Sequence, residues 1–184
     1  VARISRKDLK KDDLREAFAH GGEAVASHQG MTAIILGVIV FVALAVFGWR
    51  YYSQRQTTAA STAMGEALRI FDARIRAAGE PTQPGEVTYV DEKNKYEDAA
   101  KKFTVIADSY SRTKPGQQAR YFDALCQIHL GRDAQAEKEL TDLTSSSSDD
   151  VASLAKFQLA ALDVKNGKTA PAIALYQQLI ANPT

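Results

Sequence analysis

Residues 131–143 read GRDAQAEKELTDL, and residues 167–179 read GKTAPAIALYQQL. Laid over one another they share a glycine, an alanine five residues later, and two large apolar groups beyond that. Upstream, the stretch from Lys95 to Ile106 gives the same stripe without a gap. Its alanine, Ala99, precedes Ala136 by 37 residues, and Ala136 precedes Ala172 by 36. Four residues beyond each alanine stand Phe103, Leu140 and Tyr176, and three further on stand Ile106, Leu143 and Leu179. Small, large and large at i, i+4 and i+7 form one stripe on a helix. The alanine permits close approach of a neighbouring helix, and the larger side chains fill the groove beside it. A period of this length is the signature of a helical repeat array.

Each stripe from the second onward follows another helix and a glycine turn. Ala124 lies seven residues before Gly131, and Ala160 lies seven before Gly167. Glycine suits the left-handed conformation that closes a helix before a reversal. Lys114-Pro115-Gly116, Ser145–Asp150 and Asn182-Pro183 mark the breaks, and Ser148 or Asp149 is placed to cap the helix that follows. Ser145–Ser148 reads as a flexible linker. The pattern resembles the tetratricopeptide repeat over residues 92–184, in a divergent form. Arg120 and Lys156 stand where such repeats carry a bulky aromatic, and Gln127 and Asp163 where a tyrosine is usual. Those four polar residues are therefore the candidate partner-binding positions, on first helices facing a partner.

Working toward the N-terminus, Ala60, Ala63, Met64, Ala67, Leu68, Phe71 and Ile75 recur with helical period. They predict one more helix over residues 57–79. A loop over residues 80–91, with Pro81, Pro84 and Gly85, leads to the first stripe. Further helices are expected at 92–110, 116–130, 133–144, 150–165 and 169–181. Only Val87–Val90 suggests a strand, so the fold class is all-α.

Residues 31–49, MTAIILGVIVFVALAVFGW, contain no charge. A helix of this length spans about 29 Å, close to the bilayer hydrocarbon thickness. A buried soluble helix would keep a polar face, and a cleaved signal would have a shorter apolar core. The sequence thus predicts an uncleaved transmembrane helix over residues 31–52. Trp49, Tyr51 and Tyr52 belong at the headgroup layer, with Arg50 extending its charge to water. Arg3, Arg6, Lys7, Lys10, Lys11 and Arg15 precede the span, against Arg50, Arg55 and Arg69 after it. That bias places the N-terminus inside and the larger part outside. Residues 1–30 form a cytosolic arm with a capping box at Ser5–Asp8 and a short helix over Lys7–Ala19. Residues 53–91 are a linker helix and loop, and residues 92–184 the repeat domain. The sequence reaches Pro183-Thr184 where another helix is due, so the expectation is either an apolar edge open to a partner or another copy, or a chain shortened at this point.

Net charge is +1, with Lys+Arg 23 against Asp+Glu 22, which argues against a nucleic-acid binder. One cysteine excludes a disulfide framework within the chain and a Cys-based zinc site. Cys126 and His129 are i, i+3 on one helix, but a nucleophilic pair also needs a pocket and an oxyanion site. No phosphate loop or hydrolase elbow occurs. Neither an enzyme, a cofactor nor a small-molecule substrate is expected.

A charged arm, one span ending Gly48-Trp49-Arg50-Tyr51-Tyr52, an alanine-rich helix and divergent repeats together resemble the bacterial ancillary SecYEG translocon subunit (YfgM-like) family. The resemblance implies a bacterial inner-membrane protein with a periplasmic repeat domain. Its partners would be the lipid bilayer, SecYEG and a membrane-anchored periplasmic chaperone, and its task would be handover of exported proteins. No catalytic residue comes with it. A structural accessory subunit of another membrane complex, respiratory or photosynthetic, is the alternative. Gly37, Ala43, Ala45 and Gly48 offer the small surfaces on which such a helix would pack.

Overall fold

The structure, a computed structural model, describes residues 29–81 and 83–182. The capping box at Ser5–Asp8 and the helix over Lys7–Ala19 lie outside the described residues, as does Pro183. Among the described residues six helices and two very short strands follow in order: α1 (Gln29–Phe71), β1 (Arg74–Ile75), β2 (Thr88–Tyr89), α2 (Glu92–Ser109), α3 (Lys114–His129), α4 (Asp133–Leu143), α5 (Asp149–Lys165) and α6 (Thr169–Ala181). The expected all-α repeat fold is what forms. The chain divides into two compact units, one ending at Tyr51 and one beginning at Tyr52.

The first unit contributes the N-terminal part of α1. Its apolar side chains are exposed on every side of the helix, from Met31 through Phe47 to Trp49. Among the described residues nothing covers them, and α1 is the one helix there long and apolar enough to cross a membrane. The expected break between a span and a separate linker helix does not occur, because no Gly-Pro or Asn-Gly punctuation stands between Trp49 and Thr57.

In the second unit, the remainder of α1 turns Ala60, Met64 and Ala67 into the core. The helix was expected to reach residue 79 and ends at Phe71 instead. No local breaker stops it. Tertiary partners take over the backbone: the Ala73 carbonyl accepts from Lys95 Nζ at 3.3 Å, and the Arg76 amide donates to the Tyr89 carbonyl at 2.8 Å. Ile75 therefore leaves the apolar face and sits exposed in β1, which pairs parallel with β2. The two-residue β2 falls inside the one stretch that suggested a strand.

The helix starts are set by side chains at two places. Asp91 accepts from the Asn94 amide at 3.1 Å, and Thr113 Oγ1 accepts from the Gly116 amide at 3.1 Å. At α5, Ser148 takes the cap position without a side-chain bond to the helix, contrary to expectation. Asp149 and Asp150 instead place negative charge at the positive helix end. The serine loop before it is anchored: Ser146 Oγ donates to Gln117 Oε1 at 2.8 Å, and Gln117 Nε2 donates to Ser147 Oγ at 3.0 Å. Gly131 and Gly167 adopt φ of +71° and +73°, the left-handed turns the spacing predicts.

Two core clusters result. One joins α1, α2 and α3 around Phe103, with the Phe71 ring edge-on to Tyr96, Phe103 and Phe122. The other joins α3, α4 and α5 around Tyr121, Leu140, Leu143 and Leu162. Phe122 packs against both.

Candidate functional site

The candidate surface is built on the first helices of the hairpins, where the four polar positions stand. A shift of 36 residues relates them in pairs: Arg120 to Lys156, and Gln127 to Asp163. The structure separates the two pairs.

Gln127 and Asp163 are buried rather than displayed. Gln127 Nε2 donates to Asp123 Oδ1 at 2.9 Å, and Gln127 Oε1 accepts from Arg132 Nη1 at 3.2 Å. One repeat later, Asp163 Oδ1 lies 4.0 Å from Lys168 Nζ. The backbones repeat the relation, with the Arg132 amide donating to the Gln127 carbonyl at 2.8 Å and the Lys168 amide to the Asp163 carbonyl at 2.7 Å. Both residues therefore hold the cation that follows the glycine turn. A buried polar group needs such a partner, which explains why these positions are polar.

Arg120 and Lys156 are half-buried. Arg120 Nη2 contacts Glu139 Oε2 at 2.7 Å and Asp142 Oδ2 at 3.7 Å. Lys156 makes no ion pair among the described residues, because Leu175 stands where Glu139 would repeat.

Gln127 also closes the floor of a shallow pocket of about 390 Å³ between α2 and α3, with Glu97, Lys101, Thr104 and Arg132 around it. Arg132 Nη2 reaches Glu97 Oε1 at 3.4 Å. Thr104 Oγ1 lies 2.9 Å from the Ala100 carbonyl and 3.1 Å from Asp123 Oδ2. A hydroxyl has one proton, so it serves one of these acceptors at a time. Burial pushes the Asp123 carboxyl above its ordinary range, partly countered by hydrogen bonds from Gln127 and Thr104. The sequence did not single out Asp123, since one acid on a helix carries no signal without its burial.

The Cys126–His129 pair has no nucleophilic geometry. Cys126 is fully buried in the first core, and burial pushes its thiol up to about 12. A thiol held protonated at neutral pH is inert. The His129 ring stacks on Tyr96 at 4.0 Å between centroids, and loss of solvent lowers its pKa despite the nearby Glu92. On α1, Trp49, Tyr51 and Tyr52 are exposed, as is Arg50. Tyr52 hydroxyl accepts from Gln56 Nε2 at 2.9 Å.

Paired helices, left-handed glycine turns and Ala–large–large stripes define a helical-repeat scaffold, a class that binds proteins through helix surfaces and is typically non-enzymatic. The family model of the tetratricopeptide repeat-like domain matches residues 28–182, and the chain belongs to that family. No curated protein and no solved structure matches it.

Proposed function

We propose that this chain is a membrane-anchored protein–protein interaction scaffold of the ancillary translocon type. In this reading residues 31–52 cross the bacterial inner membrane, the N-terminus is cytoplasmic, and the repeats are periplasmic. SecYEG and a periplasmic chaperone are the partners, and handover of exported proteins is the task. The observation that carries the anchor is an apolar stretch with no buried residue, ending in Trp49, Arg50, Tyr51 and Tyr52. Exposed apolar area on that scale is stable in lipid and not in water. Among the four candidate contacts, Lys156 and Arg120 are the ones that reach solvent.

The test is extraction of the protein from its native membranes in mild detergent, followed by mass-spectrometric identification of stoichiometric partners. Recovery of SecY with a periplasmic chaperone supports the reading. Recovery of a respiratory or photosynthetic complex instead assigns the chain to the structural-subunit alternative. Small residues Gly37 and Gly48, with open space around them, favour lateral packing in either case.

A further inference from the structure

The two glycine turns of the repeats share one hydrogen-bond pattern. In the first, the amides of Leu130, Gly131 and Arg132 donate to the carbonyls of Cys126, Ile128 and Gln127 at 2.9, 3.0 and 2.8 Å. In the second, the amides of Asn166, Gly167 and Lys168 donate to those of Leu162, Val164 and Asp163 at 3.0, 3.1 and 2.7 Å. The glycines have φ of +71° and +73°. What differs is the side chain before the glycine, an alkyl group in the first turn and a carboxamide in the second.

Asn166 and Gly167 are exposed, and among the described residues the Asn166 carboxamide makes no hydrogen bond. This exposure belongs to the turn itself, because Gly131 is exposed too although α5 and α6 follow it. Bonding between Asn166 Cγ and the Gly167 nitrogen closes a five-membered ring, and glycine has no Cβ to crowd the approach. With ψ of 8° at Asn166, the Gly167 nitrogen is turned away from that side chain. Its proton is given to the Val164 carbonyl, so the turn must open before the ring can close.

We propose that Asn166 is a site of spontaneous deamidation, gated by opening of the α5–α6 turn. The Gly167 nitrogen bonds to Asn166 Cγ, the Cγ–Nδ2 bond breaks, and the Gly167 proton leaves with the side-chain nitrogen as ammonia. Water then opens the succinimide at either of its two carbonyl carbons. Attack at Cγ gives aspartate. Attack at the backbone carbonyl gives isoaspartate, whose main chain runs through Cβ and Cγ. No oxidant or reductant takes part.

Either product places a carboxylate at the C-terminal end of α5, which the helix dipole makes negative. The flanking cations are already engaged, Lys165 with Asp133 at 2.8 Å and Lys168 with Glu137 at 2.6 Å. Isoaspartate also lengthens the main chain within the turn that seats the Lys168 amide on the Asp163 carbonyl. The α5–α6 turn therefore ages, and the α3–α4 turn does not. The other two asparagines lack the chemistry. Asn182 precedes Pro183, whose nitrogen has no proton to give up. Asn94 lies inside α2, where the Lys95 amide is held by the Asp91 carbonyl at 3.2 Å. The inference goes beyond the scaffold reading and holds whichever complex hosts the chain.

The test incubates the full chain in detergent micelles at mildly alkaline pH, beside a synthetic peptide of residues 162–170. Peptide mapping by mass spectrometry follows the exchange of –NH2 for –OH, and an isoaspartyl methyltransferase counts the isoaspartate. Both products should form at Asn166, about tenfold more slowly in the chain than in the peptide, the cost of a modest local opening. Asn94 and Asn182 stay intact. Asn166→Leu, which copies the first turn, stays unmodified and keeps its helix content by circular dichroism. The Lys168 amide exchanges faster in the aged chain than in the fresh one, and ageing leaves it unchanged in Asn166→Leu. An Asn166 still intact after many half-times of the peptide overturns the proposal. So does aspartate without isoaspartate, which denies the succinimide, and a rate equal to that of the peptide, which denies the gate.

Discussion

Shifting the α3–α4 hairpin by 36 residues lays it on α5–α6, and the matched positions then differ in a consistent way. Gly116 falls on Ala152, Asp123 on Leu159, Cys126 on Leu162, and Leu140 on Tyr176. The earlier hairpin is covered on both sides, and it holds a close helix approach at Gly116, a half-buried carboxyl at Asp123 and a buried amide at Gln127. Among the described residues the later one is covered on one side, and its core is valine, alanine and leucine beside the buried carboxyl of Asp163. The difference teaches that one stripe is core or surface according to what stacks on it. Local sequence sets the helix, and the neighbour sets the energy.

The largest effect that tests this is at the shared apolar position. Leu140→Ala should cost about 2–5 kcal/mol, because it opens a cavity in a site with no solvent access. Tyr176→Ala should cost about 1 kcal/mol. Urea unfolding of the two variants measures both, and equal losses would break the comparison.

Gly116→Ala comes next. A Cβ at that position would stand 2.0 Å from the Tyr110 carbonyl oxygen, so the α2–α3 connection has to shift. The expected loss is about 1–3 kcal/mol. Ala152→Gly, in the counterpart position, should lose only about 1 kcal/mol from helix propensity. A Gly116→Ala variant as stable as the parent would show that the connection is soft.

The third prediction concerns pH. Asp123 holds its proton more tightly folded than unfolded. The folded state therefore binds more protons as pH rises from the ordinary carboxylate range, and stability from this group is lost through its folded value. Asp150 works in the opposite sense, since the hydrogen bond from Lys114 lowers its pKa. The useful quantity is the difference between parent and Asp123→Asn. The parent should lose stability relative to the variant as pH rises through the weakly acidic range. A flat difference would mean that the carboxyl is as well solvated as the unfolded one.

The smallest effect is at His129. Its ring should titrate below 6.5 by NMR, because stacking on Tyr96 removes water from the charged form. Tyr96→Ala should return it toward the ordinary value.

Much of the fold was legible because its signals are local. The stripe over Ala136, Leu140 and Leu143 has helical period, and Gly131 and Gly167 sit where a left-handed residue ends a helix. The candidate surface was half legible. Arg120 and Lys156 carry charge that reaches solvent. Gln127 and Asp163 looked the same in sequence, and the partners that bury them, Asp123, Arg132 and Lys168, come into reach only once the turn has formed. Nothing in Ala73–Ala78 marks the end of α1, since those residues favour helix by propensity.

The sequence by itself determined the apolar stretch of α1, the order of α2 to α6 and the hairpin period. These follow from hydrophobic spacing and turn chemistry within a few residues of each position. The tertiary structure alone decided where α1 stops, which polar residues are spent inside the repeats, and which large apolar side chains of the stripes are fully buried. Each of those depends on a partner that is distant in sequence: Tyr89 for the Arg76 amide, and α5 for the Leu140 stripe. A side chain's burial is a property of its neighbours, and a linear pattern names only the neighbours on its own helix.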